Sequence, residues 1–347
     1  MIDYCRRAKA WNPSLTTVVG GVHCEVCPAD LDDAAVDFRV VRNPVAAFPA
    51  LLRHIAGDGE RPPGVFGPGE AVDRDALPAF DWTYPLPRRE LSRRYRHRYF
   101  YIFHDKVALL KTAFGCPFTC TFCFCREITG HAYQRRPLPE VMRDLTRIDE
   151  REVYIVDDDF LVNRHQVEEF LDALESYGID KHYLVYGRAD FIARNPDLMQ
   201  RLKGAGLRTV IVGFESFDDA ELDGFDKGID AATNREAMAV LSRLKIECYA
   251  TVILSPDWGH EEFATLDRNI RELGIRFINL QPLTPLPGTG MEVPDDRLVI
   301  PRDDYARWDL AHVTVRPTKL SVEEYYGKII ESYTRALYRP APLLGYL

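Results

Sequence analysis

The chain has 347 residues, 46% of them hydrophobic and 28% charged, with a formal net charge of −9. That is the composition of an ordinary globular protein, and the acidic balance argues against a general nucleic-acid-binding surface. No apolar run is long enough to span a bilayer, and Met1-Ile-Asp-Tyr-Cys-Arg-Arg-Ala-Lys9 has no apolar signal core, so the expected location is the cytoplasm and a disulfide framework is not expected from the eight cysteines.

In chain order, Thr16-Thr-Val-Val-Gly20-Gly21-Val-His23 reads as a strand ending in a double glycine, where backbone can approach a ligand closely. Ala35–Val41 reads as a second strand, and Phe48, Leu51, Leu52 and Ile55 as a helix after it. Cys24 and Cys27 form a Cys-x2-Cys pair without a second pair nearby, a weak redox or zinc signal. These elements define a first segment, residues 1–57. Residues 58–104 open rich in Gly and Pro and read as a linker. Its end carries Arg88, Arg89, Arg93, Arg94, Arg96 and Arg98, a basic run expected as a solvated helix.

Residues 105–290 alternate short apolar runs with helical periodicity. Strands are expected at Val107–Ala113, Val153–Val156, Tyr183–Tyr186, Thr209–Phe214, Cys248–Leu254 and Phe277–Leu280. Their nearly continuous apolarity suits parallel strands buried on both faces. Val141, Leu145 and Ile148 mark one helix between them, and Val167, Phe170, Leu171 and Leu174 another, with Asn163 and Gln166 as a capping pair. Asn195-Pro196 predicts an N-cap followed by proline. Such a βα array closes either as an open doubly wound sheet or as an incomplete barrel. Residues 291–347 read as a helical extension in which Tyr325, Tyr326, Tyr333 and Tyr338 are packing residues.

The ends of these strands carry the chemistry. After the first comes Phe114-Gly-Cys116-Pro-Phe-Thr-Cys120-Thr-Phe-Cys123, with cysteines at i, i+4 and i+7. A [4Fe–4S] cluster normally takes four thiolates, so three in one loop leave an iron open; a zinc site, closed by four ligands, is the competing reading. After the second comes Asp157-Asp158-Asp159-Phe160, three acids expected to stay out of the core. Gly187-Arg188-Ala-Asp190, Gly213-Phe-Glu215-Ser216 and Leu283-Thr284-Pro-Leu-Pro-Gly288-Thr289 follow the third, fourth and sixth.

Together these motifs resemble the radical S-adenosylmethionine (SAM) superfamily, in the branch associated with cobalamin-binding domains. That branch includes the anaerobic magnesium-protoporphyrin ester cyclase and several methyltransferases. The likeness covers residues 105–340 well and 12–55 weakly. It implies an α/β fold: a partial (β/α)6 TIM-type barrel preceded by a fragment of a Rossmann-like cobalamin-binding domain. It also implies Cys116, Cys120 and Cys123 as ligands of a [4Fe–4S] cluster and SAM as the second cofactor. Phe122 then supports the adenine side, Asp157 and Asp158 meet the amino group, and Arg188 pairs with the SAM carboxylate, with Asp190 as its competing partner. Glu215 and Ser216 bind the ribose or methionine part, and Thr284 belongs to a rigid loop over the barrel mouth. Cys125 is read as non-ligating. The fifth strand departs from the branch, with Ser255-Pro-Asp-Trp258-Gly259-His260 in place of Gly-x-Pro-Gly-Glu.

The implied reaction is reductive cleavage of SAM and hydrogen abstraction from a small or medium organic metabolite, ending in methylation or oxidative cyclisation. Its implied partner is an electron donor such as flavodoxin or ferredoxin. Cobalamin is a third cofactor candidate. Against it, only two strands fit before the linker, where a doubly wound sheet has about five. A truncated copy, an upstream start or a remnant domain kept for packing is therefore expected, as is poor cobalamin binding by this chain alone. Two other readings are an RNA methylthiotransferase-like enzyme and a truncated, non-catalytic paralogue that acts as a binding protein.

Overall fold

A computed structural model of the chain describes residues 1–337; Tyr338 and the end of the expected C-terminal extension lie outside them. The chain falls into two units, Met1–Leu86 with Phe124–Ala132, and Pro87–Cys123 with the chain from Tyr133 onward.

In the first unit, β1 (Val18–Gly20), β2 (Phe38–Val40) and β3 (Val65–Phe66) form one sheet in that order. β1 and β2 are parallel, β2 and β3 antiparallel. Helices α1 (Ile2–Trp11), α2 (Val22–Val26), α3 (Pro44–Ile55) and the short α4 (Cys125–Ile128) complete the unit. The third strand lies inside the expected linker, and the cause is Arg39. Its side chain is fully buried and donates to the carbonyls of Pro28 (3.1 Å), Gly67 (2.8 Å) and Glu70 (2.6 Å). A buried guanidinium requires such acceptors, so the Gly/Pro-rich stretch is a folded wall. Arg42 adds to this, lying 3.8 Å from the Phe80 ring centroid and donating to the Pro78 carbonyl. Cys24 is buried, with its thiol pushed up to about 11 by desolvation, and Cys27 is half-buried and raised for the same reason. Both are free thiols.

The main sheet of the second unit has six strands: β4 (Ala108–Leu110), β5 (Glu152–Ile155), β6 (His182–Gly187), β7 (Leu207–Glu215), β8 (Glu247–Leu254) and β9 (Phe277–Pro282). They pair in sequence order and all in parallel. Among the described residues β4 and β9 do not pair with each other, so the sheet is an incomplete barrel. Helices α5 (Leu138–Leu145), α6 (Arg164–Ser176), α7 (Ala189–Arg194), α8 (Pro196–Gly204), α9 (Asp219–Gly224), α10 (Ala231–Leu244) and α11 (His260–Glu272) lie between the strands, and α12 (Val322–Leu337) follows them.

The strands look continuously apolar because both faces are covered. Val153, Ile155, Val185, Val210 and Val212 pack in the main core with the helices, whereas Tyr154, Leu184 and Ile211 cluster on the inner face. Asn163 accepts from the Gln166 amide (3.3 Å) and caps α6 as expected. Asn195 holds the N-cap position of α8 with Pro196 next, as expected, but its side chain makes no capping bond; its amide nitrogen donates to the Phe191 carbonyl (2.9 Å) and closes the end of α7. Tyr325 donates to the Ser255 carbonyl (2.8 Å), and Tyr333 accepts from the Leu280 amide (2.8 Å), so these tyrosines tie α12 to the barrel.

Two features close the barrel's lower end and open edge. The hairpin Phe100–Tyr101/His104–Asp105 places His104 between Glu152 (2.8 Å) and Thr209 (2.8 Å), and Glu152 also bonds His182 (2.6 Å). The basic run forms 3-10 turns at Arg89–Leu91 and Arg93–Arg98 rather than one solvated helix. From it, Arg89 donates to the Leu109 carbonyl on edge strand β4 (3.0 Å) and to buried Asp144 (2.8 Å). That bond satisfies an edge acceptor that no strand covers.

Candidate functional site

The cysteine loop leaves the C-terminal end of β4 and is stitched to the loops after β7 and β9. The Thr121 amide donates to the Phe225 carbonyl (3.1 Å), and the Gly290 amide donates to the Thr121 carbonyl (3.2 Å). Thr119 donates to Asp226 (2.6 Å). Cys116, Cys120 and Cys123 are half-buried and form no disulfide among the described residues. Burial, helped by the charges of Asp159, Cys123 and Cys120, pushes the Cys116 thiol up to about 12, so the three sulfurs lie within electrostatic reach of one another. Burial also raises Cys120, while Lys227 and Arg188 pull it down.

Arg188 follows β6 and is the hinge of the site. Its Nη1 lies 3.8 Å from the Cys120 sulfur, its Nη2 donates to the Lys227 carbonyl (2.7 Å), and its guanidinium lies 3.9 Å from the Phe118 ring centroid. Its Nε donates to Asp190 (2.9 Å), the competing partner named from sequence. Glu215 ends β7 at a register shift, with a left-handed φ of 62°, and pairs with Lys227 at 2.9 Å, both nearly inaccessible. A left-handed glutamate is strained by about 1–2 kcal/mol. Gly213 makes room for it: a Cβ there would sit 2.2 Å from Glu215 Oε1. Phe122 stands edge-on to Phe225 (5.4 Å), with Lys227 Nζ 5.7 Å from its ring centroid.

The acid triplet splits by role. Asp157 is buried and takes bonds from the Thr112 amide (2.7 Å), the Thr112 hydroxyl and the Ala113 amide (3.1 Å). Desolvation still lifts it to about 6. Asp158, partly exposed, accepts from the Gly115 amide (3.0 Å). Both therefore hold the backbone that leads into the cysteine loop. Asp159 is 4% exposed, against the expectation that acids at a strand end avoid the core. Its Oδ1 accepts from the Leu161 amide (2.9 Å), and its Oδ2 is buried with no partner. Burial raises it to about 7, and the nearby cations Arg188 and Lys227 oppose that rise.

Ser216 and Thr284 stand apart from this group by their bonding. Ser216 donates to Glu221 (2.5 Å), which also accepts from Trp258 (2.5 Å). Thr284 donates to the Pro282 carbonyl (3.0 Å) within its own turn. Lys227 was not read from sequence; it lies twelve residues beyond Glu215, brought back by α9. Asp159 carried one signal, an acid set directly against the apolar pair Phe160-Leu161.

The donor set fits an iron–sulfur cubane with three protein ligands. Among the described residues no three His, Cys, Asp or Glu side chains converge enough to hold a single metal ion. A cubane presents a separate iron to each thiolate and so asks for a wider triangle. Buried thiols of raised pKa lose their protons when iron binds them. The orphaned Asp159 oxygen and the guanidinium beside Cys120 then offer an acceptor and a donor for a zwitterion.

Comparison with known proteins agrees. Residues 110–270 match the family described as Radical SAM superfamily. The chain is 30% identical to the hopanoid C-3 methylase of Methylococcus capsulatus over 96% of its own length and 64% of that protein's. It is 27% identical to the anaerobic magnesium-protoporphyrin IX monomethyl ester cyclase of Cereibacter sphaeroides, over 66% of its own length and 38% of that protein's. The chain thus spans less than two thirds of either relative. Among solved structures, the radical SAM methyltransferase TsrM of Kitasatospora setae superposes with a TM-score of 0.64 at 16% identity, covering 84% of this chain and 61% of that one. The cobalamin-dependent SAM radical enzyme OxsB gives 0.61 at 14%, covering 95% and 45%. Fold, cysteine loop and relatives agree: the chain carries a radical SAM domain over residues 110–270.

Proposed function

We propose that this chain catalyses reductive cleavage of SAM and hydrogen abstraction from an organic metabolite, leading to methylation or oxidative cyclisation. The observation that carries the proposal is the set of three mutually interacting thiols beside Arg188 and an unpartnered buried carboxylate. When bound, a cluster held by Cys116, Cys120 and Cys123 supplies the electron that cleaves SAM, whose adenosyl fragment takes the substrate's hydrogen.

The protein's own part is binding, orientation and exclusion of water. Arg188 is held by Asp190 and the Lys227 carbonyl, so its remaining nitrogen is aimed beside Cys120 and can meet the SAM carboxylate. Asp159 accepts from the SAM ammonium. Asp157 and Asp158 fix the backbone entering the cysteine loop. The Glu215–Lys227 pair braces the far side of that loop, and Phe122 supplies a flat apolar wall. Ser216 and Thr284 shape the loops at the mouth. We assign residues 1–57 to the cobalamin-binding-like segment, the first part of 58–104 to the wall that completes its unit and the rest to its connection, 105–290 to the barrel and 291–347 to the extension.

A flavodoxin or ferredoxin supplies the electron, in a reducing cytoplasm; among the described residues no helix is long and apolar enough to cross a membrane. Cobalamin is assigned no step: the first unit's sheet has three described strands, where a doubly wound nucleotide-binding sheet has about five. The relatives reported above are a methylase and a cyclase, which favours this reading over RNA methylthiolation. The test is anaerobic reconstitution with iron, sulfide, reductant and SAM. 5′-Deoxyadenosine is expected from the wild type and not from Cys120→Ala. A fully reconstituted wild type that forms none overturns the proposal.

A further inference from the structure

The basic run and the inner face of the edge strand together enclose a cavity of about 660 Å³, within the usual range for small-ligand sites. Its floor is apolar. Leu109 lies between Ala108 and Leu110, which pack into the helix-side core, and so faces the other way; it is 56% exposed. Beside it stand Tyr154, stacked on Tyr101 at 4.8 Å, and Val156. The rim is basic, and its charge is not balanced. Glu90 pairs with Arg88, and Asp149 and Glu150 both pair with Arg96. The three acids of the rim thus share two cations, Arg88 and Arg96, while the side chains of Arg93 and Arg98 make no hydrogen bond or ion pair among the described residues. The lining reaches from Glu150, just before β5, to Val156, just after it. Its upper end, Val156, directly precedes the acid triplet.

We infer that this cavity is the site of an elongated apolar molecule ending in a carboxylate or phosphate, its anionic end on Arg93 and Arg98 and its apolar body along Leu109 and Tyr154. Identification of that molecule as the substrate rests on the radical SAM reading; the binding site itself does not. The shape suits the chemistry: an apolar skeleton gains by covering an exposed leucine and stacked phenols. A single anion gains charge-assisted bonds from two guanidiniums that have no other partner. A neutral lipid leaves those cations idle, and a polyanion brings too little apolar surface for the floor.

The test uses the reconstituted full chain and calorimetry with dodecyl phosphate, dodecanoate and dodecanol below their micellar concentrations. Both anions are expected to bind about tenfold more tightly than the alcohol. The exposed double variant Arg93→Gln/Arg98→Gln removes that advantage and leaves dodecanol unchanged. Leu109→Trp, which fills the floor, weakens all three. A preference for dodecanoate over dodecyl phosphate, or the reverse, assigns the end group. Equal binding of anion and alcohol, or insensitivity to the double variant, overturns the inference. So does a short single-stranded RNA that binds through Arg93 and Arg98 while the amphiphiles do not. 5′-Deoxyadenosine formed without substrate does not involve this cavity, so its presence alongside failed amphiphile binding removes the substrate class and leaves the enzyme reading standing.

Discussion

The two ends of the barrel each bury charged and polar groups, and they settle them differently. At the lower end His104, Glu152, His182 and Thr209 form a closed set in which the carboxylate meets both imidazoles and the buried imidazole meets both neighbours. At the upper end a carboxylate oxygen of Asp159 is left with no partner, a glutamate sits in left-handed backbone, and thiols stay protonated under burial. A closed network is what structural burial of polar groups demands. An open one persists where something else is to complete it. Between these two clusters the contrast distinguishes the floor from the site.

The largest expected effect breaks the upper pair. Lys227→Met leaves Glu215 buried and unpaired, and should cost about 3–5 kcal/mol in urea unfolding. Conservation of full stability would show that the pair braces nothing. Next come the two neighbouring acids, both lifted by burial. Asp157→Asn keeps one oxygen for the Thr112 and Ala113 amides and sets an amide group against the Thr112 hydroxyl, so its stability should change by no more than about 1.5 kcal/mol. Asp159→Asn relieves an unpaired buried charge. Burial holds that carboxyl at about 7, so its contribution to stability is complete below pH 3.8 and is lost as pH rises to about 7. At pH 8 the asparagine variant without cofactors should therefore be more stable by about 1–3 kcal/mol, while its SAM affinity falls at least about tenfold. A variant that loses stability, or keeps its affinity, would remove Asp159 from the site.

The smallest effect on turnover belongs to the floor. Glu152→Gln should cost about 1–2 kcal/mol and leave 5′-deoxyadenosine formation per folded molecule unchanged. Burial pushes the Glu152 carboxyl up, but His182 and His104 more than offset it, and it sits below its ordinary 4.5. Its stabilisation is then complete above pH 4.5 and lost as pH falls further. The variant should lose that part of the acid limb, measured as unfolding midpoints between pH 3 and 6 — a window set by the 4.5 reference.

The same contrast explains what was legible in the sequence. The barrel strands could be read because residues such as Val153, Tyr154 and Ile155 are buried on both faces and form unbroken apolar runs. The cysteine trio could be read because its spacing is local. Lys227 could not, since its pairing with Glu215 is made by the fold of α9 and the loop after it. Residues 65–70 looked like linker because Gly/Pro-rich composition is the same whether carbonyls face water or a buried Arg39. Helix α3 ran the other way: Leu51 is buried as its period implies, but Phe48, Leu52 and Ile55 are exposed. A hydrophobic period reports which residues share a face and not whether that face is covered.

The account rests on three thiolates holding a cubane with one iron open. The most direct measurement is electron paramagnetic resonance of the reduced, anaerobically reconstituted chain with and without SAM, alongside iron and sulfide content. The account predicts about four irons and four sulfides per chain, a spectrum altered by SAM, loss of the signal in each of Cys116→Ala, Cys120→Ala and Cys123→Ala, and its retention in Cys125→Ala. A spectrum indifferent to SAM, or an intact cluster in any of the first three variants, contradicts it.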